Sequence, residues 1–365
     1  MDKKIGLLTF HRAVNYGAIL QAFSLNRYLT KNGCKVTLLD YYPKNDEESY
    51  SIFRSWFHPK GLLYNLLVLP YFKRLREKKN KFSAFLTNHF AMSERFETAN
   101  DMQVVGDTFD CLITGSDQVF NPISKENIKA YYLTFSDKPK RVAYAPSFGL
   151  SSFDAPLQSK LTPLLQKFSA LSCRETKGAE FIAECTGKDC PVVIDPVYLT
   201  SAEEWAVIAD TKIEDKSYIF VYDLNGRERL LQMAYELKKK TGMPIICLTT
   251  KKYCIGYDVD KLVVEAGPKD FLKLIAEARY VLTDSFHGLS FSIIFRKPFL
   301  STIAVAKSSE RITNILSIID EIDRIVPAEQ INTFDYSIID RPMNYQKELE
   351  AVVINSCNFL KTNVL

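Results

Sequence analysis

The first forty residues alternate between short apolar runs and a longer amphipathic segment. Ile5–Phe10 and Lys35–Asp40 are rich in apolar residues, as is typical of strands that are buried on both faces. Between them, apolar residues recur at helical spacing from Ala18 to Leu29, and Asn32-Gly33 marks the end of that helix. A strand, a helix and a second strand in this order form a βαβ unit, which predicts a parallel sheet.

Later apolar runs predict the remaining strands of two sheets. They lie at 110–114, 141–147, 171–175 and 192–195 in the first half, and at 218–223, 244–249, 278–284 and 297–303 in the second. Periodic segments predict helices at 156–169, 227–240, 268–278, 289–295 and 309–319, with a short loop at 285–288. Residues 43–100 are polar, then apolar and aromatic, then basic, and predict a helical insertion.

The pattern therefore predicts an α/β protein with two Rossmann-like domains of parallel sheets that face each other across a cleft. The N-terminal domain is predicted at 1–165, including the insertion, the C-terminal domain at 166–340 and a helical tail at 341–365. A length of 365 residues agrees with two domains, because one hydrophobic core rarely serves a chain this long.

Composition narrows the class of protein. Lys and Arg number 47 against 43 Asp and Glu, and this small excess argues against a dedicated nucleic-acid binder. The eight cysteines form no CxxC pair, and with four histidines they show no zinc-ligand spacing, so we expect buried, reduced thiols and no metal site. The pair Asp258 and Asp260 is interpreted as surface charge. No apolar run has the length of a membrane span or a secretory signal, which predicts a cytoplasmic protein.

One segment has features of a membrane-surface helix. Residues 61–72 are apolar and aromatic, and residues 73–81 carry six cations against the single anion Glu77. A basic stretch beside apolar residues suits an anionic membrane, which predicts peripheral contact with the inner membrane face through 61–81. A solvated helix face explains the same pattern.

The strongest candidate for chemistry is the junction VLTDSFHGL. Here Ser285, His287 and Gly288 lie between a predicted strand and a predicted helix, whose first amides and positive dipole end favour an anion. His287 could donate to that anion or exchange a proton near neutral pH, and Gly288 would let a ligand approach the backbone. The alternative is a histidine that caps the helix or packs between domains.

Four further segments with candidate residues follow predicted strands or begin predicted helices. Arg174 ends a strand and could bind a carboxylate or phosphate through its planar fork, or form a surface pair with Glu175 or Asp195. Ser116 and Asp117 follow Gly115, and either could simply cap a helix. The other candidates are the first loop, with Asn15, Tyr16 and Gly17, and Arg311 at the start of a late helix. A solvated loop and a solvated helix face explain these last two.

Taken in order, six segments resemble the polysaccharide pyruvyl transferase family. They are GLLTFHRAVNYGAILQAFSL, ITGSDQVFNP, VAYAPSFG, SCRETKG, VVIDPV and LTDSFHGLSFSIIFRKPF, and the resemblance runs from about residue 4 to residue 320. It implies a GT-B-like fold and transfer of the enolpyruvyl group of phosphoenolpyruvate onto two hydroxyls of a sugar, which forms a cyclic ketal and releases phosphate. Phosphoenolpyruvate is then a co-substrate, and no other cofactor is implied.

The resemblance also implies roles for the candidate residues. Arg174 and His287 match the family positions that act on phosphoenolpyruvate, and Ser285, Gly288, Leu289 and Arg311 would complete the donor site. The acceptor sugar, with or without a lipid carrier, would meet Asn15, Tyr16, Gly17, Gly115, Ser116 and Asp117. Two alternatives stay open at this point: a GT-B glycosyltransferase that uses a nucleotide sugar, and a non-catalytic subunit of a polysaccharide-assembly machine.

Overall fold

The computed structural model describes residues 2–43, 50–122, 125–150, 152–303 and 306–365. The strands of the described part are β1 Lys4–Leu8, β2 Lys35–Tyr41, β3 Met92–Phe96, β4 Cys111–Thr114, β5 Lys140–Ala143, β6 Ala170–Leu171, β7 Ile219–Asp223, β8 Ile245–Thr249, β9 Lys261–Val263, β10 Tyr280–Thr283 and β11 Phe299–Ser301. The α-helices are α1 Tyr16–Lys31, α2 Pro59–Val68, α3 Phe72–His89, α4 Gln103–Gly106, α5 Lys125–Tyr131, α6 Ala155–Leu165, α7 Thr176–Thr186, α8 Ala202–Ile208, α9 Arg227–Thr241, α10 Pro268–Ala276, α11 Phe286–Ile294, α12 Ala306–Ile318 and α13 Gln346–Asn363. Short 3₁₀ helices lie at Leu69–Tyr71, Asn100–Met102, Pro196–Leu199, Ile322–Arg324, Ala328–Gln330 and Tyr336–Asp340.

The first compact unit comprises residues 1–49, 86–200 and 346–365. Its six strands are all parallel, in the order β3-β2-β1-β4-β5-β6. The central strand β1 is buried along four of its five residues, and Ile5 lies in register with Val36 on one side and Cys111 on the other. The predicted parallel βαβ unit is confirmed.

The second unit comprises residues 50–85 and 201–345. Its five strands are also parallel, in the order β11-β10-β7-β8-β9. Val281 of β10 pairs with Phe220 of β7 and Phe299 of β11, and every residue of β7 is buried. Apolar runs without alternation thus form central strands in both units, as expected for parallel sheets that are covered on both faces.

The predicted domain boundaries are wrong in two places. Residues 166–200 complete the first unit, because β6 pairs with β5 and the Ser24 hydroxyl donates to the Pro196 carbonyl over 2.6 Å. The C-terminal helix α13 is not a separate tail, since the Ile194 amide donates to Ser356 Oγ over 2.9 Å within the same unit. These contacts join positions far apart in sequence, which local patterns do not reveal.

The predicted insertion at 43–100 is divided between the units. Its residues 44–49 lie outside the described part of the chain. Helix α2 and most of α3 pack in the second unit, where Arg74 Nε lies 2.7 Å from Glu265 Oε2 and the Tyr71 hydroxyl donates to the Cys254 carbonyl over 3.2 Å. Strand β3 contradicts the helical prediction: its sequence MSERF has few apolar residues because it is an edge strand that pairs only with β2.

Other elements differ from the predictions in extent. The strand predicted at 171–175 is reduced to β6, and the run at 192–195 contributes a single bridge between Cys173 and Val192. Helices α7 and α8 and strand β9 were not predicted. No helix in the described ranges combines the length and apolar character that crossing a bilayer requires.

Candidate functional site

In the second unit, only Asp284 and Ser285 separate β10 from α11. Ser285 is the N-cap: the Gly288 amide donates to its Oγ over 3.4 Å, and the Leu289 amide donates to its carbonyl over 2.9 Å. The prediction of a loop at 285–288 is wrong, because this cap moves the start of the helix forward to Phe286. An anion could use the Gly288 or Leu289 amides only by displacing the bonds to Ser285.

Gly288 is required for packing of the helix against the sheet. A Cβ atom here would lie 2.5 Å from Thr283 Oγ1 and 2.9 Å from Tyr222 Cδ1. The sequence suggested that Gly288 admits a ligand to the backbone, but the groups that approach it belong to β10 and β7. The glycine therefore sets how closely α11 lies to the strands.

His287 lies in the first turn of α11, where the helix dipole favours negative charge. The residue is 8% exposed, and its ring packs edge-on against Phe286 with centroids 5.1 Å apart. The Arg311 guanidinium lies over the same Phe286 ring, 6.0 Å from its centroid. The structure thus brings two predicted donor residues, His287 and Arg311, to the same aromatic ring.

Sequence reasoning missed Asp284, which organises the neighbouring loop. Its carboxylate accepts hydrogen bonds from the amides of Leu224, Asn225 and Gly226, over 2.9, 2.7 and 2.7 Å. Burial raises the pKa of Asp284 above its usual range, although the three amides act in the opposite direction. The loop after β7 is therefore held beside the start of α11. The only available signal was an aspartate between a strand and a serine cap.

In the first unit, Arg174 lies in a buried polar cluster just beyond the ends of β4 and β6. Its Nη1 is 2.5 Å from Asp195 Oδ2 and 3.4 Å from Ser116 Oγ, and Ser116 Oγ also donates to Asp195 over 3.0 Å. Burial would lower the pKa of Arg174, but the charges of Asp195 and Glu175 prevail and raise it. The pair with Asp195 suggested by the sequence does form, and it is buried rather than on the surface.

Residues around this cluster are held by local bonds. The Ser147 hydroxyl donates to the Glu175 carboxylate, which also lies 3.8 Å from Cys173 Sγ. Asp117 has a φ of 79°, and its Oδ1 accepts from the Gln118 amide over 2.8 Å. A non-glycine residue rarely adopts this left-handed conformation, so the surrounding structure holds Asp117 in a specific orientation.

The first loop is organised by Asp40, at the end of β2. His11 Nε2 lies 3.0 Å from its Oδ1, and Arg12 binds it through Nε over 2.7 Å. Burial would raise the pKa of Asp40, but these two partners lower it to about 2. The sequence treated Asp40 only as the end of a strand.

The remaining predicted acceptor residues belong to the start of α1. Asn15 is its N-cap and accepts from the Ala18 amide over 3.2 Å, while Tyr16 and Gly17 are buried in its first turn. Gly115 lies directly after β4, and a Cβ there would be 3.0 Å from Thr9 Cβ. These contacts describe helix capping and close packing, and they leave the predicted acceptor role as a prediction.

The sequence predicted surface charge at Asp258 and Asp260, no metal site, and buried, reduced cysteines. Asp260 pairs with Lys238, Nζ to Oδ2 2.6 Å, as expected for surface charge. The part of the chain that the structure covers contains no group of three metal-ligating side chains. All eight cysteines are free thiols, and seven of them are buried.

The sequence matches the family model of polysaccharide pyruvyl transferases over residues 15–305. The chain belongs to the polysaccharide pyruvyl transferase family. The matched region extends from Asn15 past Leu289, so it includes the candidates of both units except Arg311. No curated protein matches the sequence.

Solved structures with the same fold place this pyruvyl transferase family member among GT-B proteins. The UDP-GlcNAc 2-epimerase of Methanocaldococcus jannaschii is 13% identical with a TM-score of 0.60, and the match covers 99% of this chain and 100% of that one. The Neisseria meningitidis UDP-GlcNAc 2-epimerase, bound to UDP-GlcNAc, is 11% identical with a TM-score of 0.56 over 99% and 100% of the chains. A putative UDP-N-acetylglucosamine 2-epimerase of Listeria monocytogenes is 11% identical with a TM-score of 0.51 over 96% and 91%. At such identities the likeness concerns the fold alone, and it confirms the predicted GT-B-like class.

Proposed function

We propose that the protein transfers the enolpyruvyl group of phosphoenolpyruvate to two hydroxyls of a sugar, forming a pyruvate ketal and releasing phosphate. The observation that carries this proposal is the position of His287. His287 lies in the first turn of α11 and packs against the Phe286 ring, which the Arg311 guanidinium also contacts. The chain belongs to the polysaccharide pyruvyl transferase family. A helix N-terminus, an imidazole and a guanidinium suit a phosphorylated donor.

The reaction needs charge stabilisation and one proton delivered to carbon. Protonation of the methylene carbon of phosphoenolpyruvate leaves an oxocarbenium-like centre at C2, which the first sugar hydroxyl attacks as it loses its proton. Phosphate then leaves with the C2–O bond electrons, and the second hydroxyl closes the ring and loses its own proton. The imidazole of His287 can contact the phosphate and can donate or accept a proton, which covers two of these requirements.

The other proposed roles follow the geometry of each unit taken separately. Arg174 is proposed to bind an anionic group of the donor, and Ser116 and Asp117 are proposed for the acceptor sugar. Ser285 is proposed to orient the first turn of α11 through its cap. The Gly288 and Leu289 amides are left out of the donor site because both already donate to Ser285.

The test of the proposed reaction is His287→Gln, which keeps hydrogen-bonding groups but removes the imidazole ring. If His287 transfers a proton, turnover falls ~10²–10⁴-fold with a normal melting temperature. If it only binds phosphate, the KM for phosphoenolpyruvate rises and kcat changes little. The matched control is His58→Gln, a change at an exposed histidine that caps α2.

Two results would contradict the proposal. Normal kcat and normal KM in His287→Gln would end the role of this residue. Turnover of a nucleotide sugar with no response to phosphoenolpyruvate would replace the proposed reaction with glycosyl transfer.

We also propose that the protein works at an anionic membrane surface, through an apolar surface formed by α2 and the residues flanking it. Phe57 is fully exposed, and five neighbours are between 44% and 62% exposed: Trp56, Leu62, Leu63, Leu66 and Leu69. Exposed large apolar side chains at this density are unusual on a soluble surface, and a tryptophan beside leucines suits the headgroup region of a bilayer.

Fewer of the six cations at residues 73–81 are available to a membrane than the sequence suggested. Arg74 pairs with Glu265, Lys81 pairs with Asp270, and Lys78 is buried. Burial lowers the pKa of Lys78 to about 8. Lys73, Arg76 and Lys79 remain exposed on α3, and they supply the cationic component beside the apolar surface.

Flotation with vesicles tests this location. Wild type is expected to float with vesicles that contain phosphatidylglycerol, while Phe57→Ser/Leu63→Ser/Leu66→Ser stays at the bottom. The control is Val104→Ser/Val207→Ser, because both valines are exposed but lie elsewhere. Equal flotation of wild type and the triple variant would refute the apolar surface as the contact.

A further inference from the structure

The second unit contains a large cavity that neither the family match nor the proposed reaction assigns. Its volume is about 810 Å³, within the range of small-molecule sites. Three segments line it: the loop after β7 with the start of α9 (Leu224–Arg229), the loop after β8 (Thr250–Tyr253), and Arg54 and Tyr64 of the segment that contains α2. The cavity therefore lies where two parallel strands end, a common place for ligands in α/β proteins.

Cations reach this cavity from all three segments. Arg227 and Arg229 come from α9, Lys251 and Lys252 from the loop after β8, and Arg54 from the insertion, while Glu228 is the one acidic residue of the lining. In the described part of the chain, the ion pair within this lining joins Arg227 Nη2 and Glu228 Oε1 over 3.9 Å. Five cations against one anion make a concave surface of positive potential, which concentrates anions.

Three of these cations donate to backbone carbonyls, and Lys252 Nζ is one of them, with a bond of 2.6 Å to the Ser51 carbonyl. Arg227 Nη1 donates to the Ile255 carbonyl over 2.9 Å, and Arg229 Nη1 donates to the Ile303 carbonyl over 2.8 Å. Each guanidinium has five N–H donors, so these bonds orient the groups and occupy part of their capacity. Burial, followed by the like charges of Lys79 and Arg54, lowers the pKa of Lys252, as expected where positive charges crowd one another.

The aromatic wall adds a flat surface beside the charges. The Arg54 guanidinium lies 4.2 Å from the centroid of the Tyr64 ring, and Tyr64 meets Tyr253 edge-on with centroids 6.0 Å apart. Tyrosine rings next to cations can contact a sugar or another ring while the cations bind its phosphates. The lining therefore combines two tyrosine rings with cations, and the Arg54 guanidinium already lies over one of the rings.

We propose that this cavity binds the diphosphate group of an organic diphosphate, in particular a sugar carried on a diphosphate. A diphosphate spreads its charge over two phosphoryl groups, which matches cations that come from separate walls. That the ligand is the acceptor of pyruvyl transfer rests on the proposed function; the diphosphate site itself does not. His287 and Arg311 are not among the residues that line the cavity, although its loop at 224–226 is bonded to Asp284, just before α11.

Calorimetry on the full chain tests the site with inorganic pyrophosphate as the probe. Pyrophosphate is expected to bind at least ~10-fold more tightly than inorganic phosphate, because it engages more than one cation. Arg54→Gln/Lys251→Gln removes two exposed cations of the cavity and is expected to weaken pyrophosphate at least ~10-fold with an unchanged melting temperature. The control, Lys212→Gln/Lys347→Gln, removes the same charge from exposed lysines outside the cavity and should bind normally.

Two further ligands identify the source of the diphosphate. UDP represents a nucleotide carrier and farnesyl diphosphate a lipid carrier, and binding of either one, weakened in the cavity variant, supports the proposal. Binding of pyrophosphate but of neither organic diphosphate would overturn it.

Other results would also overturn the site. They are no pyrophosphate binding, equal affinity in the cavity variant, or loss of pyrophosphate affinity when phosphoenolpyruvate is saturating, which would make the cavity part of the donor site. If phosphoenolpyruvate fails to bind at all while pyrophosphate binds as expected, the proposed reaction fails and the diphosphate site stands.

Discussion

Charged side chains are arranged differently at the carboxyl ends of the strands in the two sheets. At the strand ends of the first unit, cations face carboxylates: Arg174 pairs with Asp195, and Arg12 pairs with Asp40, which His11 also contacts. At the strand ends of the second unit, the carboxylate of Asp284 accepts hydrogen bonds from backbone amides, while five cations line one cavity. Paired charges hold loops in place, whereas cations that outnumber carboxylates leave positive potential for a ligand.

The largest expected effect is on the buried pair of the first unit. Asp195→Asn keeps an acceptor for the Val197 amide but removes the carboxylate nearest to the buried Arg174, so that Glu175, 3.9 Å from Arg174 Nε, is the remaining ion-pair partner. We expect a loss of about 3–5 kcal/mol in the free energy of unfolding, measured by urea titration. Arg174→Met/Asp195→Asn should recover much of it, and a loss below ~1 kcal/mol in the single variant would mean that the pair is not tightly buried.

Acid should lower the free energy of unfolding of the first unit, because it protonates Asp40. Its pKa of about 2 in the folded protein is below the ordinary value of 3.8, so its contribution is complete above pH ~4 and is lost as the pH falls towards 2. That contribution is about 2 kcal/mol. Urea titrations of wild type and Asp40→Asn should therefore converge between pH 5 and pH 2, and a constant difference would contradict the assigned partners.

A smaller effect is expected for the donor role of Arg174. Arg174→Lys keeps the charge but loses the planar fork, so phosphoenolpyruvate should bind at least ~10-fold more weakly in a calorimetric titration. Unchanged affinity with a lower melting temperature would assign Arg174 to the pair with Asp195 alone. The charges at the strand ends of the first unit would then be structural, and those of the second unit would bind the ligand.

The smallest effect concerns Asp284, and its sign is opposite to that of Asp40. Burial raises its pKa in the folded protein, so folding favours the protonated form and this contribution to stability falls as the pH rises above 3.8. The difference in unfolding free energy between wild type and Asp284→Asn should shrink over that rise. A difference that grows with pH would show that the three amides outweigh burial.

Central parallel strands could be predicted because burial on both faces leaves continuous apolar runs, as in β1, β7 and β10. The edge strands β3 and β9 could not. Strand β3 has one neighbour and a polar sequence, and β9 is only three residues long. The start of α11 was misplaced because a serine cap and a glycine are also typical of loops, and only the contacts of Gly288 with Thr283 and Tyr222 distinguish the two.

The sequence by itself determined the fold class, the family and the residue types at the strand ends, because these depend on local periodicity and on short motifs. Only the tertiary structure decided which charges meet. Arg174 and Asp195 are separated by twenty-one positions, and Asp284 holds amides about sixty positions away. The assignment of 50–85 to the second unit, and with it the supply of Arg54 to the cavity, also depends on contacts distant in sequence. Pairing, burial and cavity formation arise from packing between such segments, and no local pattern along the chain records them.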